Sequence, residues 1–393
     1  MMGRSTVIRG GAVAAVATLA LAGYATAGVA AGPWTAVPSP NPSLSGNRLR
    51  GVASMGPDAV WSVGDWRDDA TGRQRTLTQH WDGTAWRTVD SPDTGLWNDT
   101  LTAVAGTSPT GLWAVGYATS AAVESPDQGV PLMLRGDGDS WSIENLGVPG
   151  TSGWLAAIDM LEENDGWAVG SYRPDRGAAP QGLILHRTGD AWRQVAAPDT
   201  GPQPVHLTGV SATGAGDVWA VGYTGELDAD EQPVVEHWDG RVWRQERLAA
   251  APGSQSALFG VTAVAGGQVW AVGYRRTAGE QQPYALHWSG TSWQEVLGRA
   301  PGDRPELHSV VALPTGVWAA GYVVVGSADT ALAMSLDEAG LTTEALPPAP
   351  PLSTGNVAGT ALSAIGVTAD TGELWAVGCR GLTTQVLHRK VGA

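Results

Sequence analysis

The chain's 393 residues carry 38 acidic against 23 basic side chains, a net charge of −15. That balance argues against a nucleic-acid partner, whose phosphates need Lys and Arg to neutralise them. With 43% hydrophobic and 16% charged residues, punctuated by 54 Gly and 25 Pro, the composition reads as a folded all-β chain rather than a disordered or fibrous one. Cys379 is the single cysteine, so no intramolecular disulfide can form and the core must supply the stability.

At the N-terminus, Arg4 and Arg9 precede an uncharged apolar run from Gly11 to Gly23, followed by Ala25-Thr26-Ala27. This reads as a secretory signal peptide over residues 1–27, cleaved after Ala27. Tyr24 stands where a lipoprotein signal needs Cys, and no other stretch is long and apolar enough to span a bilayer. The mature protein is therefore expected to be secreted, extracellular and monomeric, without membrane insertion.

Seven times a Trp opens the same four-residue word: Trp61-Ser-Val-Gly64, Trp113-Ala-Val-Gly116, Trp167-Ala-Val-Gly170, Trp219-Ala-Val-Gly222, Trp270-Ala-Val-Gly273, Trp318-Ala-Ala-Gly321 and Trp375-Ala-Val-Gly378. The steps are 52, 54, 52, 51, 48 and 57 residues. A period near 50 marks a repeat architecture. Each repeat reads as four strands. An apolar first strand, such as Leu101-Thr-Ala-Val104, leads by a turn to the Trp strand, which has no polar side and so must be sandwiched between sheets. A third strand ends in His, as at His80 or His237, and an Asp-Gly turn such as Asp82-Gly83 leads to a fourth strand opened by Trp86 or Trp243.

Seven four-stranded units make a seven-bladed β-propeller over residues 33–393. Its ends are out of phase with its blades. The last repeat reaches His388 and stops at Ala393 without an outer strand, while Trp34-Thr-Ala-Val-Pro-Ser-Pro40 matches Trp86-Arg-Thr-Val-Asp-Ser-Pro92. The N-terminal segment is thus expected to supply the outer strand of the last blade and protect its edge.

The words Leu112-Trp-Ala-Val-Gly-Tyr117 and His80-Trp-Asp-Gly-Thr-Ala-Trp86, repeated over residues 33–393, resemble kelch and galactose-oxidase-type propellers. Gly-Tyr stands at Tyr117, Tyr223, Tyr274 and Tyr322 where kelch repeats carry a Gly pair, so the resemblance is one of architecture. Galactose-oxidase chemistry would imply copper held by His and Tyr with a Cys-linked Tyr. Cys379 follows a repeat word, yet no Tyr pairs with it and only His206 lies plausibly near, so neither metal nor other cofactor is expected.

The repeated residues are read as packing. Five His, at 80, 186, 237, 287 and 388, occupy one equivalent position and cannot converge on a metal, because neighbouring sheets stand about 10 Å apart. They are expected to hydrogen-bond near the outer turn. Specificity should lie in what does not repeat, the connections after each repeat word: 65–75, 117–131, 171–181, 223–233, 274–283, 322–330 and 379–383. Trp66 in such a loop, Trp97 and Trp154 in connections between blades, and Tyr117 and Tyr172 gather around the first three repeats, with carboxylates Asp65, Asp68 and Asp69. Aromatic faces beside carboxylates suit sugar rings. The expectation is a binding or interaction module for an extracellular glycan, cell wall or protein, without assignable catalytic residues. A glycan-active hydrolase or lyase, or less plausibly a copper oxidase, is the alternative. Either glycan enzyme would need converging Arg or paired carboxylates, for which Arg67, Arg173, Arg176, Arg275 and Arg276 are placed. The acidic run Glu226, Asp228, Asp230 and Glu231 reads as a solvated loop more than a calcium site.

Overall fold

The computed structural model describes residues 32–121, 125–148, 150–248, 253–264, 266–348 and 359–391. The segment read as a signal peptide lies outside them. Among the described residues the architecture is an all-β propeller with four-stranded antiparallel blades; its one helical segment is the 3-10 turn Pro126–Gln128. Among the described residues no helix is long and apolar enough to cross a membrane.

Five sheets of four strands stand separately, where the sequence predicts seven. The other eight strands form one sheet. In it the strands of residues 47–89 and those of residues 98–143 are joined by the single parallel pair Gln74↔Asn98. The joint arises because the third strand of the first unit begins at Gln74, beside the start of the next unit's inner strand at Asn98.

The inner strands are Asn47–Ser54, Asn98–Ser108, Ser152–Glu162, Val205–Gly214, Ser254–Val264, Asp303–Leu313 and Thr360–Thr368. Each touches the inner strand before and after it, and Thr360–Thr368 comes back against Asn47–Ser54. The second strands carry the repeat words and are buried on both faces, as their unbroken apolar pattern predicts. All seven repeat-word Trp are buried. Each lies in the packing layer it shares with the outer strand of the next unit: Trp61 meets Trp141 edge to face, Trp113 meets Trp192, Trp167 meets Trp243, Trp219 meets Trp293, and Trp375 meets Trp86. In the sixth repeat, Leu341 takes the outer Trp's place against Trp270.

Two further Trp, each followed by Asp at the end of a third strand, belong to the same layers. Trp81 packs on Trp86 and Trp375, and Trp238 packs on Trp243 and Trp167.

Thr35 and Ala36 pair antiparallel with His388 and Leu387 of the last strand, Thr383–Arg389. Gly32 N–H donates to Lys390 O at 3.0 Å and Val37 N–H to Val386 O at 2.9 Å. Trp34 is buried in one cluster with Trp318 and Leu362.

One expectation about strand ends is corrected. The repeat-word Gly does not close its strand. Second strands run on to Arg67, Thr119, Arg173, Thr224, Thr277, Val325 and Arg380, so Asp65, Tyr117, Ser171, Tyr223, Tyr274, Tyr322 and Cys379 are strand residues. The connections shrink accordingly, to two residues between Thr277 and Glu280.

Candidate functional site at the channel mouth

The continuation of the second strand follows from a β-bulge in every inner strand. Leu49 and Gly51 pair with the consecutive residues Gly64 and Val63, which leaves Arg50 as the extra residue. The same shift falls after Leu101, Leu155, Leu207, Leu258, Leu307 and Leu362. Bulges re-aim a side chain, and here the extra residue of every inner strand, Arg50, Thr102, Ala156, Thr208, Phe259, His308 and Ser363, lines one axial cavity of about 540 Å3.

The repeat-word Gly is the counterpart of this bulge. A Cβ on Gly64 would stand 1.9 Å from the carbonyl oxygen of Arg48, and one on Gly222 would stand 1.9 Å from that of His206. Gly116, Gly170, Gly273, Gly321 and Gly378 meet the equivalent carbonyl in the same way. Glycine is needed because backbone presses on backbone.

Toward one end of the cavity the side chains are aromatic. His206 stacks on Tyr223 at 4.9 Å, and Trp154 lies 6.5 Å beyond it. Phe259 lies 4.9 Å over His308 with planes 6° apart, and His308 stacks on Tyr322 at 5.5 Å. Trp154, Phe259, His308 and Tyr322 all line the cavity, half-buried, and Arg50 lines it too.

A polar layer behind this arc fixes it. Trp154 Nε1 donates to Asp127 Oδ1 at 2.8 Å, and the same oxygen lies 3.6 Å from His206 Nδ1. Burial pushes the His206 imidazole below its ordinary pKa. Tyr274 donates its hydroxyl to the fully buried Glu231 at 2.6 Å, and His308 Nε2 lies 3.4 Å from Glu306 Oε2. Burial raises the hydroxyl pKa of Tyr223, Tyr274 and Tyr322, so these rings present neutral phenols at ordinary pH. Deeper in the cavity, burial pushes the Asp159 carboxyl up to about 6, against a backbone hydrogen bond from Ala212 at 2.8 Å.

The residues singled out in the sequence separate into three groups. Trp154 joins the axial cavity, though from an inner strand rather than a connection. Trp97 and Tyr117 share a second pocket of about 300 Å3, whose wall includes Arg50. The others are occupied in structure. Trp66 donates its indole N–H to Thr76 O and lies under Arg75; Tyr172 donates its hydroxyl to Gln181. Asp65 pairs with Arg50, and Asp68 pairs with Arg75 and caps the turn at Ala70 and Thr71. Asp69 accepts hydrogen bonds from Ser43, Leu44 and Ser45; the backbone N–H of Leu44 contributes most to holding its pKa at about 2. Asp65, Asp68 and Asp69 lie next to or near Trp66 in the chain, but their partners hold them apart from a shared ligand face.

The acidic run does not converge. Asp230 accepts from the N–H of Glu226, Asp228 pairs with Arg276, and Glu231 turns inward to Tyr274. Among the described residues no group of three or more His, Cys, Asp or Glu is placed to hold a metal. Burial raises the Cys379 thiol pKa.

Sequence reasoning placed Tyr322 at the head of a connection expected to carry specificity but missed Phe259, His308 and Arg50. The available signal was the residue after the first-strand Leu, which varies while the Leu recurs. No protein-family model matches the chain, and no curated protein matches it, so the resemblance to kelch and galactose-oxidase-type propellers rests on the repeated words alone.

Proposed function

We propose that the chain is a secreted, seven-bladed propeller that acts as a carbohydrate-binding module through the mouth of its axial cavity. The blade count is supported by the closed cycle of seven inner strands and by the single residue pair that links the two halves of the eight-stranded sheet. Closure of the last blade by the N-terminal segment is supported by the pairing of Thr35 with His388 and by the burial of Trp34. Secretion rests on the leader read at residues 1–27.

The observation that carries the binding reading is the half-ring of Trp154, Phe259, His308 and Tyr322 around a cavity of about 540 Å3. Ligand sites are concave, mostly apolar and furnished with a few polar groups, with volumes of roughly 300 to 1,000 Å3. Aromatic faces take the apolar faces of sugar rings, and Arg50 supplies donors to hydroxyls. Glycoside hydrolysis by two carboxylates needs a pair across the scissile bond. Asp159 is the one carboxylate lining the cavity among the described residues, which favours binding over turnover.

A glycan array probed with the full mature chain, followed by calorimetry on the hits, tests this. Trp154→Ala with Phe259→Ala is expected to weaken binding at least tenfold while the melting transition remains. Absence of any glycan ligand for the parent, or release of reducing sugar from a bound glycan, would overturn the reading.

A further inference from the structure

The second pocket, of about 300 Å3, is built from the inner and second strands of the first two repeat units, with Gln74 at the start of the first unit's third strand and Gly72, Trp97 and Ala121 from the connections. Three arginines line it, Arg48, Arg50 and Arg67, and no Asp or Glu does so among the described residues. In a chain with 38 acidic side chains against 23 basic ones, that is a local reversal of charge. Arg50 is engaged by Asp65. The guanidinium groups of Arg48 and Arg67 make no ion pair or hydrogen bond among the described residues, so two of the residues lining the pocket carry donor forks without a partner anion there. Planar guanidinium forks match a carboxylate with two parallel hydrogen bonds.

The rest of the wall is suited to a sugar ring rather than to a bare anion. Trp97 carries Arg73 over one ring face at 5.3 Å and remains 38% exposed. Tyr117 lines the same pocket. Gln74 donates to Thr100 at 2.8 Å and Asn98 to Thr119 at 3.2 Å; neither carboxamide makes another side-chain hydrogen bond among the described residues. Their carbonyl oxygens are therefore available to sugar hydroxyls. The volume lies at the lower end of ligand pockets, which suits one ring with its substituent.

We propose that this pocket binds a carboxylate-bearing sugar, a uronate residue, with Arg48 and Arg67 on the carboxylate and Trp97 against the ring. The proposal rests on the glycan-binding reading above and assigns it an acidic ligand at a place apart from the aromatic half-ring, joined to it through Arg50, which lines both cavities.

Calorimetric titration of the mature chain with trigalacturonate, maltotriose and inorganic phosphate tests it. Trigalacturonate is expected to bind, more weakly as salt rises, and to lose at least tenfold in affinity in the double variant Arg48→Gln, Arg67→Gln, and again in Trp97→Ala. Both arginines are exposed, so the melting temperature of the double variant should be unchanged. Trigalacturonate that fails to bind, or binds the double variant equally well, overturns the proposal. Phosphate binding as tight as that of trigalacturonate reduces the pocket to a simple anion site and overturns the sugar assignment. Maltotriose binding that depends on Trp154 and Phe259, without uronate binding, overturns this proposal and leaves the glycan reading standing; failure of neutral and acidic glycans alike removes both.

Discussion

The imidazole of His186 lies flat on the indole of Trp167, with ring centroids 3.8 Å apart and planes 6° from parallel. Its Nε2 stands 2.9 Å from Asp165 Oδ1. The two residues are register partners on adjacent strands, as are Trp61 and His80, Trp219 and His237, Trp270 and His287, and Trp375 and His388. The repeated His is thus a lid on the repeated Trp, and hydrogen bonding is its secondary role. In the second repeat Arg135 stands there and covers Trp113 by a cation–π contact at 5.7 Å. Aromatic pairs are worth about 0.5 to 1.5 kcal/mol beyond their burial. His186→Ala should therefore lower unfolding free energy by about 1 to 2 kcal/mol in urea, and His186→Phe should recover part of it.

Glycine at the bulge contact predicts a sharp contrast within one sheet. Gly222→Ala places a methyl group against a backbone carbonyl that cannot rotate away, and should cost about 3 kcal/mol or more, or prevent folding. Gly214→Ala, eight residues earlier, meets nothing within 4 Å and should change stability by less than about 0.5 kcal/mol. Thermal melts of the two variants make the comparison.

Glu236 gives a pH signature. It is fully buried between sheets, neither carboxylate oxygen has a hydrogen-bond partner among the described residues, and burial pushes its pKa up to about 8 from 4.5. The folded state therefore holds a proton that the unfolded chain releases. Its contribution is intact below about pH 4.5, declines as pH rises toward about 8, and is flat above that. Of the six equivalent positions four hold Leu, as Leu134, Leu185, Leu286 and Leu387, one holds Met334 and one Gln79. Glu236→Leu should be the more stable protein at pH 8 by a few kcal/mol, on the order expected from the shift, with a much smaller difference at pH 5. Chemical denaturation across that range would show the parent's slope and its loss in the variant.

Deleting residues 33–40 removes Trp34 from its cluster and Thr35, Ala36 and Val37 from the last strand. A fall in melting temperature of more than about 10 °C is expected, since several kcal/mol of buried Trp surface and an edge strand go together. An unchanged melting curve would show that the N-terminal segment is dispensable.

The fold was largely legible because the packing layers repeat. Trp at one position of the second strand and Trp at one position of the outer strand mark the layers directly, and the match of Trp34 with Trp86 pointed to the pairing with His388. The separation into sheets was not legible, because the link between Gln74 and Asn98 is a backbone pairing with no side-chain signature. The candidate site was legible only in part, for a related reason. Trp154 announced itself as an aromatic outside the repeat. Phe259 and His308 sit in runs that read as ordinary buried strand, and only the bulge, invisible to apolar periodicity, turns them to the axis. Asp65 and Asp69 were read as free because sequence shows their charge and not Arg50 or Ser43.

The bulge after each inner-strand Leu separates two tasks that most strands combine. The Leu, the Trp and the Gly on either side of it are held by packing and backbone contact, whereas the bulged side chain ranges from Ala156 to Arg50 to Phe259 in otherwise equivalent surroundings. Such a ring is a set of interchangeable slots. A library that varies these positions alone would retune the chemistry of the axis while leaving the Trp layers between sheets as they are, and would touch the interfaces only where a bulged side chain reaches the next sheet, as Thr102 does to Leu155 O and Thr208 to Leu258 O.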